Sequence, residues 1–163
     1  MAKSRDEIDA AVAEVLAAPA HVAQGLTAVS VEAGEARFEF DAGPASLAPT
    51  GSVHGGVLAM LMEPAAVCAV YPLLPAGGHA VTVDMHVQHM RPARPGARLQ
   101  IVARVTRLEK TLAFCEASVL DGETVCSTAR LTKATLAGFK KITEQLNDTV
   151  SGLQGEISRF TVR

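Results

Sequence analysis

Three consecutive residues, His54, Gly55 and Gly56, have the types and order that suit binding of a negative charge. They separate a loop rich in proline, glycine and serine from a strongly apolar segment. If that segment is a helix, its first N–H groups lack intrahelical partners and lie at the positive end of the helix dipole. Such groups can bind a phosphate, a carboxylate or a developing oxyanion. The alternative is that the glycines only permit a tight entry into the helix.

Glu63 is the only charged residue between His54 and Tyr71. A carboxylate in an apolar helix is costly unless it is paired or used in chemistry. We expect its apolar neighbours to raise its pKa, which suits a general base or nucleophile near neutral pH. The alternative is a carboxylate paired with an arginine across a subunit contact.

Helical geometry separates these two features. Nine residues at ~100° each put His54 and Glu63 on opposite sides of the helix and ~13 Å apart along it. A site that uses both therefore needs two antiparallel helices of a twofold dimer, which gives two sites per dimer. Pro64 removes a hydrogen bond to the Met60 carbonyl and predicts a kink that either aims Glu63 or only bends the helix.

The elements that position these residues follow from periodicity. Ser4 to Glu7 has the form of a capping box and predicts a helix to about Ala18, ended by Pro19. Residues 54–71 are apolar on every side, which is typical of a buried helix. Six strand-like segments complete the chain: a hairpin of Leu26–Val31 with Ala36–Phe40, and a four-stranded meander of Ala80–Met90, Arg98–Leu108, Thr111–Leu120 and Thr124–Lys133.

This order predicts an α+β class, with an antiparallel sheet of about six strands around the central helix. Apolar and polar residues alternate along Ala80–Met90. This alternation predicts that Val81, Val83 and Met85 lie on one face of the strand and that Thr82 and Asp84 lie on the opposite face. We expect residues 1–137 to form one domain. An amphipathic helix, packed on the sheet or at a subunit contact, is expected to extend it over 138–163.

Composition excludes several functions. A net charge of −2 and 4% aromatic residues argue against nucleic-acid binding. Three cysteines without C-x-x-C spacing predict reduced thiols and a cytoplasmic protein. Asp84, His86 and His89 do not converge as metal ligands, because His86 and His89 face opposite sides of a strand. We expect no metal, no cofactor, no signal peptide and no membrane span.

The combined motifs resemble the PaaI-like branch of the hotdog-fold thioesterases. The resemblance covers about residues 20–135 and rests on order and spacing: Gly51–Gly56, an acid nine residues beyond His54, then Thr82–Asp84 and Arg91–Gly96. It implies a hotdog fold, hydrolysis of acyl-CoA thioesters, and assembly as a homodimer and further as a tetramer.

The resemblance also implies roles for individual residues. Glu63 would attack the thioester carbonyl or activate water, while a Gly55 or Gly56 N–H holds the thioester oxygen. His54 would orient that loop or bind substrate. Thr82 and Asp84 would contact the substrate. Basic residues would meet the phosphates of coenzyme A, or be ordinary surface charges: Arg91 and Arg94, with Lys133, Lys140 and Lys141 as weaker candidates.

The chain departs from the family pattern in two places. Family members often have an asparagine or glutamine before the histidine, where Ala48 to Thr50 stand here. Several have a serine or threonine one turn after the acid, where this chain has Val67. A protein that binds acyl-CoA without hydrolysing it is therefore an alternative. An enoyl-CoA hydratase or dehydratase is a weaker one, since the Asp–His motif of those enzymes is absent.

Overall fold

The computed structural model of the chain describes residues 2–136. Its elements are α1 (Arg5–Leu16), α2 (Pro19–Ala23), β1 (Thr27–Glu32), β2 (Glu35–Asp41), α3 (Gly55–Val70), β3 (His79–His89), β4 (Arg98–Leu108), β5 (Leu112–Asp121) and β6 (Thr124–Leu136), with 3-10 turns at Pro44–Ser46 and Tyr71–Leu73. The predicted extension over 138–163 lies outside the described residues. The domain boundary at residue 137 therefore stays a prediction.

The described strands form one antiparallel sheet in the order β1-β2-β4-β5-β6-β3. The α+β class and the six strands are confirmed. The predicted four-stranded meander is wrong, because β3 pairs with β6 instead of β4. Short hairpin turns join β4 to β5 and β5 to β6, whereas residues 90–97 form a longer connection that carries the chain across the sheet. As a result β3 becomes an edge strand.

The sheet wraps around α3, as its apolar sequence predicts. Nine residues of α3 are buried, among them Leu61, Met62 and Ala65, and they pack against strand residues such as Phe38 and Ile101. By length and composition alone, Gly55–Leu73 is apolar enough to cross a membrane, with a mean hydropathy of 1.6. Its place under the sheet accounts for that apolarity as the core of the domain.

A β-bulge at Val83 changes which residues of β3 share a face. Thr82 pairs with Lys133, and Asp84 pairs with the adjacent Thr132, so Val83 has no partner on β6. Thr82 therefore faces α3, and Asp84 lies on the outer face of the sheet. The uninterrupted alternation predicted for this strand is wrong at this point.

The N-terminal helix begins as predicted and ends earlier. The Glu7 N–H donates to Ser4 Oγ at 3.2 Å, and the Ser4 N–H donates to Glu7 Oε2 at 2.8 Å, which completes the capping box. Helix α1 ends at Leu16, and Pro19 begins α2, where its missing N–H costs nothing. No residue of α1 is fully buried.

Candidate active site

The candidate site is centred on Glu63, in the middle of α3. Its side chain is 38% exposed, whereas the residues on either side of it, Met62 and Pro64, are fully buried. The carboxylate points toward the edge of the sheet where β3 and β6 run side by side. A carboxylate that is held by the core and still open to solvent can reach a ligand.

Lys133 on β6 is the partner of Glu63. Its side chain is 0% exposed, and its Nζ lies 2.5 Å from Glu63 Oε1. The same ammonium donates to Thr82 Oγ1 at 2.6 Å and to the Glu63 carbonyl at 3.4 Å. A fully buried ammonium is stable only when it is paired and hydrogen-bonded, and here its acceptors belong to the candidate site.

This contact corrects the expectation for the Glu63 pKa. Burial alone would raise that pKa, as predicted from the apolar neighbours. The charge and hydrogen bond of Lys133, together with the Thr82 hydroxyl and the charge of His21, outweigh burial and lower the pKa below its usual 4.5. The carboxylate is therefore ionised at neutral pH.

The predicted site residues on β3 separate into two groups. Thr82 Oγ1 donates a short hydrogen bond to Glu63 Oε1, which places Thr82 in the site. Asp84 lies with His86 and Arg130 on the outer face of the sheet. The grouping of Asp84 with Thr82 is therefore corrected, because the bulge at Val83 turns the two side chains to opposite faces.

The turn before α3 holds His54 and Gly56 together. His54 is the N-cap residue, and the Gly56 N–H donates to its Nδ1 at 2.8 Å. The expectation of a bare N–H at Gly56 is therefore wrong. Because Nδ1 accepts a hydrogen bond, a neutral His54 carries its proton on Nε2, where it can donate to a ligand.

Gly55 keeps its N–H available and has a steric reason to be glycine. Within residues 2–136 its N–H donates no hydrogen bond. A Cβ at Gly55 would lie 2.7 Å from His89 Nε2, so the ring of His89 occupies the space that any side chain at residue 55 would require. His89 Nδ1 is itself hydrogen-bonded to Ser127 Oγ at 2.8 Å. Gly55 is thus the remaining candidate for an oxyanion donor.

Backbone hydrogen bonds fix the position of this turn. The His54 N–H donates to the Ser46 carbonyl at 2.8 Å, and the Val53 N–H donates to the Ala93 carbonyl at 3.1 Å. Ser46 Oγ also donates to Gln24 at 2.5 Å, which ties the loop to the end of α2. The start of α3 is therefore held by both neighbouring loops.

The two arginines predicted to meet phosphates differ in their contacts. Arg94 donates to both carboxylate oxygens of Asp121, at 2.7 Å from Nε and 2.6 Å from a terminal nitrogen. This fork lowers the pKa of Asp121 and fastens the β3–β4 connection to the β5–β6 turn. Arg91 has an exposed side chain and borders a surface pocket with Gly55 and His89.

Sequence reasoning missed the role of Lys133. It was grouped with Lys140 and Lys141 as a candidate for phosphate binding, but it is buried beneath Glu63; the other two lie outside the described residues. A signal was present, because Ala129 and Leu131 precede Lys133 at steps of two and are buried on the same face of β6.

Comparison with known proteins agrees with this fold and identifies the family. The profile of the thioesterase superfamily matches residues 50–133, just over half of the chain, and the match includes His54, Glu63, Thr82 and Lys133. The chain therefore belongs to the thioesterase superfamily.

Individual relatives are similar over part of their length. Acyl-coenzyme A thioesterase 13 of Homo sapiens is 33% identical over 89 residues, which are 55% of this chain and 63% of that protein. The Mus musculus protein of the same name is 32% identical over 74 residues, or 45% and 52% of the two chains. The matched part thus spans between about half and two thirds of these curated relatives.

Solved structures confirm the hotdog fold and the PaaI-like resemblance. A thioesterase family protein from Silicibacter pomeroyi has a TM-score of 0.74 at 20% identity, covering 80% of this chain and 99% of that one, which shows the fold alone. A mutant of the phenylacetic acid degradation protein PaaI from Thermus thermophilus has a TM-score of 0.67 at 25% identity, covering 72% and 98%.

Proposed function

We propose that the protein hydrolyses acyl-CoA thioesters, aliphatic or aryl, to the free acid and coenzyme A, with Glu63 as the reacting carboxylate. One observation carries the proposal: an ionised, partly exposed carboxylate is held by the buried Lys133 inside the segment that matches the thioesterase superfamily. The acyl-CoA thioesterases among its relatives support this substrate class.

The proposed site lies between two copies of the chain. The start of α3 and Glu63 are eight residues apart, which is ~12 Å along one helix, so Gly55 cannot serve a thioester attacked by Glu63 of its own chain. A twofold dimer with antiparallel α3 helices would bring Gly55 of one protomer to Glu63 of the other. A tetramer of two such dimers would leave these sites unchanged.

The edge strand supports a dimer at this place. Val81 and Val83 flank Thr82 on β3 and are 47% and 63% exposed. Within the described residues β3 pairs only with β6, so its other edge has unpaired backbone groups. An exposed apolar edge beside Glu63 suits a subunit contact next to the site.

Two routes of hydrolysis balance chemically. In the first, Glu63 attacks the carbonyl carbon, the C–S bond breaks, the thiolate leaves, and water cleaves the resulting anhydride. In the second, Glu63 takes a proton from water while the water oxygen attacks the carbonyl carbon. The C–S bond then breaks, and the proton passes to the departing thiolate. The Gly55 N–H would stabilise the oxyanion in both. The lowered pKa of Glu63 keeps the carboxylate ionised near neutral pH, which both routes require.

The test is a hydrolysis screen over acyl and aryl coenzyme A esters, with release of the free thiol as the readout. We expect turnover by the wild type, a loss of at least about a thousandfold in Glu63→Gln, and no change in Glu116→Gln, an exposed glutamate on β5. A wild-type rate in folded Glu63→Gln would refute the assignment. ¹⁸O in the Glu63 carboxylate after one turnover in ¹⁸O-water would establish the nucleophilic route, because that label arises only when water attacks the Glu63 carbon of an anhydride.

A binding protein without turnover is the second candidate. Val67 offers no hydroxyl one turn after Glu63, and the Gly56 N–H is already bonded to His54. Both features remove polar groups that hydrolysis can use. Tight binding of acyl-CoA with no release of thiol across the whole panel would establish this function instead.

A further inference from the structure

A cavity of about 240 Å³ lies between α1, α3 and the start of β3. We propose that this α1 cavity binds the apolar end of the acyl group, a medium-length aliphatic chain or a single aromatic ring, and thereby selects the substrate. The inference rests on the proposed function for the identity of the ligand, and it adds a binding site that belongs to one protomer.

The cavity lies beside the candidate site, although Glu63 and Thr82 do not themselves line it. Val67 lines it and stands one helical turn after Glu63, so the two side chains are neighbours on the same face of α3. Ala80 also lines it and stands two residues before Thr82, on the same face of β3. The two residues that carry the acid and its hydroxyl partner thus each have a neighbour in the cavity wall.

The opposite wall is mostly apolar. Ile8, Val12 and Val15 of α1 line the cavity, and α1 has no fully buried residue. Interiors of proteins are normally packed without voids of this size, since unfilled space loses dispersion contacts. A row of aliphatic side chains beside an open space next to a reactive carboxylate is what an apolar ligand group requires.

Val67 fits this interpretation. A hydroxyl at this position would favour a water molecule, whereas the two methyl groups of valine extend the apolar wall toward Glu63. The polar residues Glu14 and His79 also border the cavity, at its α1 and β3 walls. We therefore interpret Val67, which replaces the serine or threonine of the family pattern, as part of the proposed acyl site.

The volume limits the ligand. A cavity of about 150 Å³ lined by aliphatic and aromatic side chains is known to hold benzene. About 240 Å³ is therefore enough for one ring or for a medium-length chain. Further methylenes of a longer chain would find no apolar wall, so we expect affinity to stop rising once the cavity is full.

The test measures binding of non-hydrolysable alkyl-CoA thioethers with two to twelve alkyl carbons, and of the phenethyl thioether, to the full chain by calorimetry. Each buried methylene should tighten binding about fourfold until a plateau. Val12→Phe should fill the cavity from α1. It should weaken the longest thioether at least tenfold and change the two-carbon one less than twofold. Val22→Phe, at a residue of α2 that is 62% exposed, is the matched control.

Each outcome decides the inference. The same chain-length dependence in folded Val12→Phe and wild type would overturn it. A wild-type affinity that does not depend on alkyl chain length would also overturn the inference. In that case another segment or a second copy of the chain would fill the cavity. If Val12→Phe fails to fold, Val12→Ala replaces it and should move the plateau to longer chains; an unmoved plateau counts against the cavity. If affinity depends on chain length as expected but no thioester is hydrolysed, the cavity is supported and the proposed thioesterase activity is rejected. If thioesters are hydrolysed but Val12→Phe leaves the chain-length dependence unchanged, the activity is supported and the cavity is rejected.

Discussion

The ammonium of Lys133 and the carboxylate of Glu63 meet at 2.5 Å through a single carboxylate oxygen, Oε1. Thr82 donates to the same oxygen, and within residues 2–136 the other oxygen, Oε2, accepts no hydrogen bond. One half of the carboxylate is thus fixed by the protein, and the other half is left for a ligand. Because the fixing groups are already in place, the carboxylate is oriented in advance for the proposed reaction.

Replacing Lys133 by methionine should raise the pKa of Glu63. Burial would then act without the opposing positive charge, and the pKa would move above its usual 4.5. The acid limb of kcat/KM should lie below pH 4.5 in the wild type and at a higher pH in Lys133→Met. Lys110→Met, at an exposed turn, is the control, and identical pH profiles would contradict the coupling.

The same pair predicts how stability depends on pH. The folded-state pKa of Glu63 is lowered, so its contribution is fully present above the unfolded value near 4.5 and is lost as the pH falls through the folded pKa. Urea unfolding at pH 7 and pH 3 should therefore show a smaller pH difference in Glu63→Gln than in the wild type. An equal difference would show that the pair adds nothing to stability.

Thr82→Val should lower turnover without unfolding the protein. The change removes the hydroxyl that donates to Glu63 and keeps the shape of the side chain. A hydrogen bond to a charged group suggests a fall in kcat/KM of about tenfold or more. Thr128→Val, on the outer face of β6, should leave kcat/KM unchanged; equal effects of the two substitutions would argue against a role for Thr82 in the site.

Gly55→Ala should disturb the turn by a contact that a second substitution can relieve. The new Cβ would lie 2.7 Å from His89 Nε2, an overlap that costs about 1–3 kcal/mol of unfolding free energy. His89→Ala in the same chain should recover most of that loss. Gly43→Ala is the control, because the nearest atom to its Cβ is 3.9 Å away. Additive losses in the double variant would exclude the predicted clash.

Substitutions of Arg91 and Arg94 should have different effects, one on KM and the other on stability. Arg91→Ala should raise KM about fivefold or more for acyl-CoA, with little change for the acyl-pantetheine ester, because a phosphate contact is lost. Arg94→Ala should lower the thermal unfolding midpoint, since it unpairs Asp121 at the β5–β6 turn. An unchanged KM in Arg91→Ala would remove that residue from the substrate site.

Periodicity was sufficient for most of the fold and for the central acid. The capping box, the buried helix and the six strands follow from local spacing, and Glu63 was identified as a lone charge in an apolar helix. Strand order was not accessible, because the pairing of β3 with β6 depends on a crossover and not on turn chemistry. The pKa of Glu63 was predicted in the wrong direction, because its partner Lys133 is distant in sequence and only the fold brings the two together.

The site also depended on details that no pattern carries. The bulge at Val83 places the side chains of Thr82 and Asp84 on opposite faces of the sheet. The imidazole of His54 accepts the hydrogen bond of the Gly56 N–H, which is therefore not available to a ligand. Single-residue irregularities of this kind leave the hydrophobic pattern almost unchanged. They nevertheless decide which polar groups meet.

The burial of Lys133 has a chemical consequence for the proposed reaction of a thioester. A thioester readily acylates free amines, and the amine of Lys133 lies 2.5 Å from the carboxylate of Glu63. Its nitrogen is engaged by Glu63 and Thr82, and its side chain is closed to solvent. In the proposed thioesterase, the arrangement that orients the acid would therefore also protect the protein from acylation by its substrate.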